Sequence, residues 1–308
     1  MVPKVLVVLS SQDKIPANGH PTGWYLPEFA HPWEVLHEKT ELVIASPKGG
    51  EAPLDPASVK AFENDPVSTK FLNEQKALWM NTVKLSDVLP KVSEFDAIFY
   101  IGGHGPMFDL HYDETSIALI EAFAAAKKTI AAVCHGPTVL LKAKAPSGVP
   151  LLSACTVTGF SNTEEDQAQM SSVMPYMLED ELQKVTGNRY VKAEEPWGEK
   201  VVVSKAASTG ATIITGQNPA SATGVGKEIL RAVCRRSPER VTPPLSRLNL
   251  QLSITEHPAN QQRCLPGVAE ISMPRSCRQV DDTPPLREDA LSLILRLDDE
   301  EMYPEADW

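Results

Sequence analysis

The run TIAAVCHGP, Thr129–Pro137, carries Cys134 and His135 to the point where a short apolar strand stops and the helix-like VLLKAK begins. A strand that turns abruptly into a helix exposes its turn residue at the carboxyl edge of a sheet, and a helix N-terminus lowers a thiol pKa. That placement makes a nucleophile. The small residue after the histidine, Gly136, permits the tight turn, and backbone N–H groups there face a developing oxyanion. The competing reading of Cys134 is an inert cysteine buried at the end of a core strand.

Two further segments supply partners. DAIFYIGGHGP, Asp96–Pro106, is a second apolar strand ending in glycines, so the backbone at Gly103 and His104 can approach a ligand closely. TGWYLPEF, Thr22–Phe29, sets Glu28 among Trp24, Tyr25, Leu26, Pro27 and Phe29. A carboxyl group in apolar company has its pKa raised by desolvation and suits proton transfer near neutral pH. The alternative is a first-turn helix glutamate facing water.

The elements that must position these residues are short apolar blocks at Lys4–Leu9, Leu42–Ala45, Ala97–Ile101, Thr129–Val133, Thr156–Thr158, Val201–Ser204 and Thr212–Thr215. Continuous blocks, unlike alternating ones, mark strands buried on both faces. Helical stretches fall between them at Pro32–Lys39, Thr115–Lys127, Pro137–Lys144, Met177–Val185 and Ala220–Arg231. The pattern predicts an α/β fold with a mostly parallel sheet and helices on both faces. Residues 51–81, rich in Pro, Asp, Asn and Lys, read as an insertion that either roofs a pocket or lies on the surface.

Residues 1–236 are expected to form the α/β domain. From Ser237 the composition shifts, with nine of the 26 prolines in 237–308. That predicts a disordered, linker-like extension, inside which Leu286–Leu297 shows helical apolar spacing and is followed by DDEE. Such an extension either binds a partner or regulates the domain, or has no selected function.

Composition narrows the function classes. The chain has 308 residues, 42% hydrophobic and 22% charged, and a formal net charge of −11, which disfavours nucleic acid and anionic lipid as partners. No apolar run approaches a membrane span, and MVPKVLVVLSSQD lacks the features of a cleavable signal, so a cytoplasmic location is expected. Five cysteines without a CxxC pair suggest neither a disulfide framework nor a zinc site. No dinucleotide or P-loop glycine motif is present either, so no cofactor and no metal is expected.

AVCHGP, GGHG, TGWYLPE, VTGF at Val157–Phe160 and TGQNPASA at Thr215–Ala222 occur here in the order found in the ThiJ/PfpI superfamily. The sequence resembles most the glutathione-independent glyoxalases of that superfamily (glyoxalase III, a D-lactate dehydratase), some also described as heat-shock chaperones. The resemblance covers about Val2 to Arg235. It implies a flavodoxin-like sandwich with a cysteine nucleophile elbow and, commonly, a homodimer. It further implies that Cys134 is the nucleophile, His135 its base or orienter and Glu28 a proton shuttle. In SNTEED the acidic partner of the histidine aligns best with Glu165, with Glu164 and Asp166 one residue away. The amides of Gly103 and His135 would form an oxyanion site, with His104 and Gly136 beside the substrate. The implied reaction converts methylglyoxal and related 2-oxoaldehydes to 2-hydroxy acids, D-lactate from methylglyoxal.

Rival readings are a cysteine amidase or peptidase, a deglycase of the same superfamily, and a stress-induced holdase with a redox-sensing cysteine. Amidotransferases carry a late H-x-E pattern, whereas the only histidine after His135 is His257, followed by Pro258 and Ala259. Cys155 and Cys234 read as packing residues. His31 reads as either a pocket or a surface residue, the His104 ring as secondary to its backbone, and Trp197 and Tyr176 as pocket walls or dimer contacts.

Overall fold

A computed structural model describes residues 2–236. Seven strands, β1 (Lys4–Val8), β2 (Glu41–Ser46), β3 (Val83–Lys84), β4 (Ala97–Tyr100), β5 (Thr129–Val133), β6 (Val201–Lys205) and β7 (Thr212–Gly216), form one sheet ordered β3-β2-β1-β4-β5-β7-β6. All neighbours pair in parallel except β6 with β7. Every residue of β4 and β5 is buried, as the unbroken apolar blocks predict for central parallel strands.

Among the described residues nine α-helices accompany the sheet: α1 (Leu26–Leu36), α2 (Pro56–Ala61), α3 (Pro66–Glu74), α4 (Ala77–Met80), α5 (Leu85–Val88), α6 (Glu114–Ala125), α7 (Asn162–Gln167), α8 (Leu178–Thr186) and α9 (Ala222–Arg236). The chain steps from β1 outward to β2, then returns past β1 to β4. Right-handed crossovers in opposite directions place their helices on opposite faces. Accordingly α1 packs on α3 and α9, while α5 packs with α6. With the two-residue β3 set aside, the strand order is flavodoxin-like, and the reversal between β1 and β4 is where ligands of such sheets bind.

The insertion over 51–81 holds α2, α3 and α4 and is fastened by aromatic edges to α1 and to Trp24 just before it. Phe71 meets Phe29 at 4.9 Å, and Trp24 meets Trp79 at 5.3 Å between ring centroids. The Trp24 indole also donates to the Ala52 carbonyl.

Several expectations are corrected. Thr156–Thr158 is no sheet strand, since Val157 makes only an isolated bridge to Tyr190. The helix expected to begin at Pro32 begins at Leu26 and carries Pro32 inside, because Pro27 already supplies the favoured N-terminal proline. The helix expected over Pro137–Lys144 is a short 3-10 turn, Gly136–Leu140. The two residues of β3, both exposed, gave no apolar signal. Cys155 is buried as expected, but Cys234 is exposed on α9. The Pro-rich extension over 237–308, including Leu286–Leu297, lies outside the described residues.

Candidate active site

The carboxyl ends of β4 and β5 converge with the start of α1. Cys134 follows β5 directly with φ +59°, a left-handed backbone that a non-glycine residue adopts at a cost of about 1–3 kcal/mol. Its neighbours impose that conformation: the Cys134 amide donates to Gly216 at 2.9 Å, and the Phe160 amide donates to the Cys134 carbonyl at 2.9 Å. The sharp turn delivers the thiol to a pocket of about 70 Å³, room for roughly five water-sized spheres.

Glu28 enters that pocket from the first turn of α1 and is 0% exposed, so of its two readings the buried one holds. Neither carboxylate oxygen attains hydrogen-bond geometry, although the Cys134 thiol and the Gly102 amide face it. Burial pushes the Glu28 carboxyl well up and, acting likewise on Cys134, pushes the thiol up. The expected lowering by a helix N-terminus is therefore corrected: no α-helix follows the cysteine, and desolvation dominates. Two adjacent buried acids titrate as one unit, and the second charge is opposed by the first. The pair thus keeps a proton between sulfur and carboxyl, while the Gly103 amide offers the sulfur a hydrogen bond.

Glycine at 102 is what lets the pair meet. A Cβ there would stand 2.5 Å from Glu28 Oε2, 2.5 Å from the Val133 carbonyl oxygen and 2.8 Å from Cys134 Cβ.

His135 completes a relay. Its Nδ1 lies 3.4 Å from Cys134 Sγ and its Nε2 lies 2.6 Å from Glu165 Oε2. Glu165 as acceptor fixes the proton on Nε2 and leaves the Nδ1 lone pair toward the thiol. Burial holds His135 below its ordinary pKa, keeping it the neutral base. Of the three acidic candidates Glu165 is the partner. Glu164 serves a capping box and other donors, and Asp166 accepts from Ser171.

The His104 ring is used more directly than expected. Its Nε2 lies 3.0 Å from Glu165 Oε1, and its ring centroid is 4.4 Å from that of His135. Burial alone would lower His104 and raise Glu165, but attraction to Glu165 raises the histidine, and attraction to His135 and His104 together holds the carboxyl far below the usual range. The raised His104 stabilises the fold below its unfolded value of 6.5, an effect lost as pH rises through the folded value. The lowered Glu165 stabilises above its unfolded 4.5, an effect lost as pH falls through the folded value. The melting-temperature gap between wild type and His104→Gln should therefore be widest between those two values. A gap constant across a pH series would contradict the ion pair.

One ring nitrogen each of His104 and His135 and a Glu165 oxygen lie within 4.8 Å of one another, a donor set of the kind zinc takes. Here each Glu165 oxygen already faces a histidine.

Other residues fall into place. Trp197 lines the pocket, as do Phe160, Met170 and Asp55. Gly136 packs instead behind the elbow, where a Cβ would stand 2.8 Å from the Tyr100 carbonyl oxygen. Tyr176 bonds the Thr138 hydroxyl at 2.5 Å, away from the thiol. His31 is neither wall nor surface: it is buried, bonded to Asp65 at 2.8 Å and near the Thr223 hydroxyl. Asp55 escaped the sequence reading. Its one signal, the Asp-Pro start of a helix, marks a cap and says nothing of a pocket.

The chain matches the DJ-1/PfpI family over residues 26–232 and belongs to it. Glyoxalase 3 of Candida albicans is 28% identical over 240 residues, which span 75% of this chain and 98% of that protein. Glutathione-independent glyoxalase HSP31 of Saccharomyces cerevisiae is 28% identical over 229 residues, 71% of this chain and 93% of its own. Among solved structures, the Rapid Encystment Protein 24 KDa of Francisella tularensis is 35% identical with a TM-score of 0.67, covering 75% of this chain and 99% of that one.

Proposed function

We propose that this protein is a glutathione-independent glyoxalase that converts methylglyoxal and related 2-oxoaldehydes to 2-hydroxy acids. The observation that carries the reading is the buried Glu28 carboxyl beside the Cys134 thiol, and the names of the two glyoxalase relatives support it. The sulfur adds to the aldehyde carbon, and the proton the pair holds passes to the new alkoxide, giving a hemithioacetal and leaving Glu28 ionised. A carboxylate whose pKa burial has raised is a stronger base than an exposed one. It removes the proton from the former aldehyde carbon, an enediol forms, and the proton returns to the neighbouring carbon. The first carbon ends as a thioester and the second as an alcohol, so electrons move within the substrate and no external oxidant takes part. Water activated by His135, held by Glu165, then releases the 2-hydroxy acid and regenerates the thiol. The amides of Gly103 and His135 steady the oxyanion.

A simple amidase or peptidase would use the same Cys134, His135 and Glu165 but has no task for Glu28. The reading assigns the activity to residues 1–236, acting in the cytoplasm as a homodimer on a small molecule, with neither nucleic acid nor membrane as partner. Among the described residues no helix is long and apolar enough to cross a membrane.

The test is D-lactate produced from methylglyoxal by the purified chain without glutathione. Stoichiometric D-lactate is expected. Aldehyde consumed without lactate, or no consumption at all, would overturn the reading.

A further inference from the structure

Two carboxyl groups and two imidazoles line the pocket. Glu28 and Asp55 contribute carboxyl groups, and among the described residues no lysine or arginine lines it. Its remaining cationic capacity, His104 and His135, is engaged with Glu165. Asp55 reaches the pocket from the insertion that follows β2. It is 4% exposed and is held by the Ala57 amide at 2.8 Å and the Ser58 amide at 3.3 Å, as the N-cap of α2. The Thr22 hydroxyl lies 3.4 Å from its other oxygen. Burial raises the Asp55 carboxyl above its ordinary value, the His104 charge and the three donors pull it back toward the ionised form, and the whole chain's charge of −11 adds a field of the same sign.

The geometry points to Asp55 as a specificity-determining residue that bars anionic ligands from Cys134, so that neutral 2-oxoaldehydes enter and carboxylated or phosphorylated ones do not. The substrate half of this rests on the function proposed above. The charge half does not, because any reagent for the thiol enters the pocket that this carboxylate lines. Like charges brought together in a partly desolvated pocket repel far more strongly than in water. The apolar walls, Phe160, Met170 and Trp197, suit the uncharged substituent of the accepted substrates.

Two alkylating reagents of nearly equal size separate charge from shape. Iodoacetamide is neutral and iodoacetate is an anion. Their rates at Cys134, read by mass spectrometry of its peptide at neutral pH, are compared with their rates on free cysteine. The amide-to-acetate ratio at Cys134 should exceed the free-cysteine ratio by about tenfold. In Asp55→Asn most of that excess should vanish, since asparagine caps a helix as well as aspartate and the fold is retained. A wild-type ratio equal to that of free cysteine, or an Asp55→Asn ratio unchanged from wild type, would overturn the proposal.

A second arm uses methylglyoxal and the three-carbon 2-oxoaldehyde phosphorylated at its third carbon. Asp55→Asn should raise turnover of the phosphorylated compound relative to methylglyoxal by several-fold. If the alkylation ratios behave as expected while neither aldehyde is turned over, the charge filter stands and the glyoxalase reading falls.

Discussion

Cys134→Ala should reduce D-lactate formation from methylglyoxal to the uncatalysed level, and Glu28→Gln should lower kcat by about 10²–10⁴-fold, the usual contribution of a positioned proton-transfer group. The two losses differ in kind. Without the sulfur no covalent adduct forms, whereas the glutamine variant keeps the nucleophile and lacks only a base. Glu28→Gln should therefore still add methylglyoxal reversibly to Cys134, and native mass spectrometry of the intact protein in excess methylglyoxal should show the adduct mass, absent from the Glu28→Gln/Cys134→Ala double variant. Glutamine is nearly isosteric, so the pocket is kept, and it removes a buried carboxyl that has no partner of good geometry; a fall in melting temperature is not expected. Full D-lactate turnover by Glu28→Gln would remove the shuttle and leave the relay of His135 and Glu165 to explain the chemistry. Residual turnover in Cys134→Ala above that of free solution would remove the covalent route altogether.

The sequence announces this site unevenly, for physical reasons. Cys134 is legible because a strand-to-helix elbow has a local signature, an apolar block ending in a reactive residue and glycine. Yet the same logic predicts a lowered thiol pKa, and the structure shows burial pushing it up. Whether a residue is dry depends on what packs over it, here α1 and the walls at Phe160 and Trp197, all distant in sequence. Glu28 illustrates the same limit. Its apolar neighbours are equally compatible with a wet helix end, and only the packing of α1 against α3 and α9 decides the matter. For the acidic partner of His135, the resemblance narrowed the choice to adjacent positions, but helix phase at α7 selects Glu165. Strand order is similarly half-legible. Central strands β4 and β5 stand out because both faces are buried, whereas β3 is too short and exposed to signal.

Glu164, the neighbour that the relay does not use, is where the largest loss of stability is expected. It is fully buried and receives five hydrogen bonds: the Ser161 amide and hydroxyl on Oε2, and the Trp197 amide, Gln217 and Asn218 side chains on Oε1. These donors come from the start of α7, the loop before β6 and the segment after β7, so one carboxylate ties together three elements around the pocket. Glu164→Ala leaves all five donors without their acceptor. Hydrogen bonds to a charged group are each worth about 1.5–3 kcal/mol, and partial rescue by water leaves a net loss of about 3–5 kcal/mol. For a domain of this size that lowers the melting temperature by about 10 °C. The effect on activity follows from Trp197, which lines the pocket at φ +64° with its amide on Glu164 and its indole N–H on Gln167 at 2.6 Å. Released from Glu164, that left-handed backbone relaxes and the wall moves, so KM for methylglyoxal should rise by a larger factor than kcat falls. Glu164→Gln retains one carbonyl acceptor and should lie between alanine and wild type in both measurements. A Glu164→Ala protein that melts within a degree or two of wild type would mean that water satisfies these donors and that the three elements are held by packing alone.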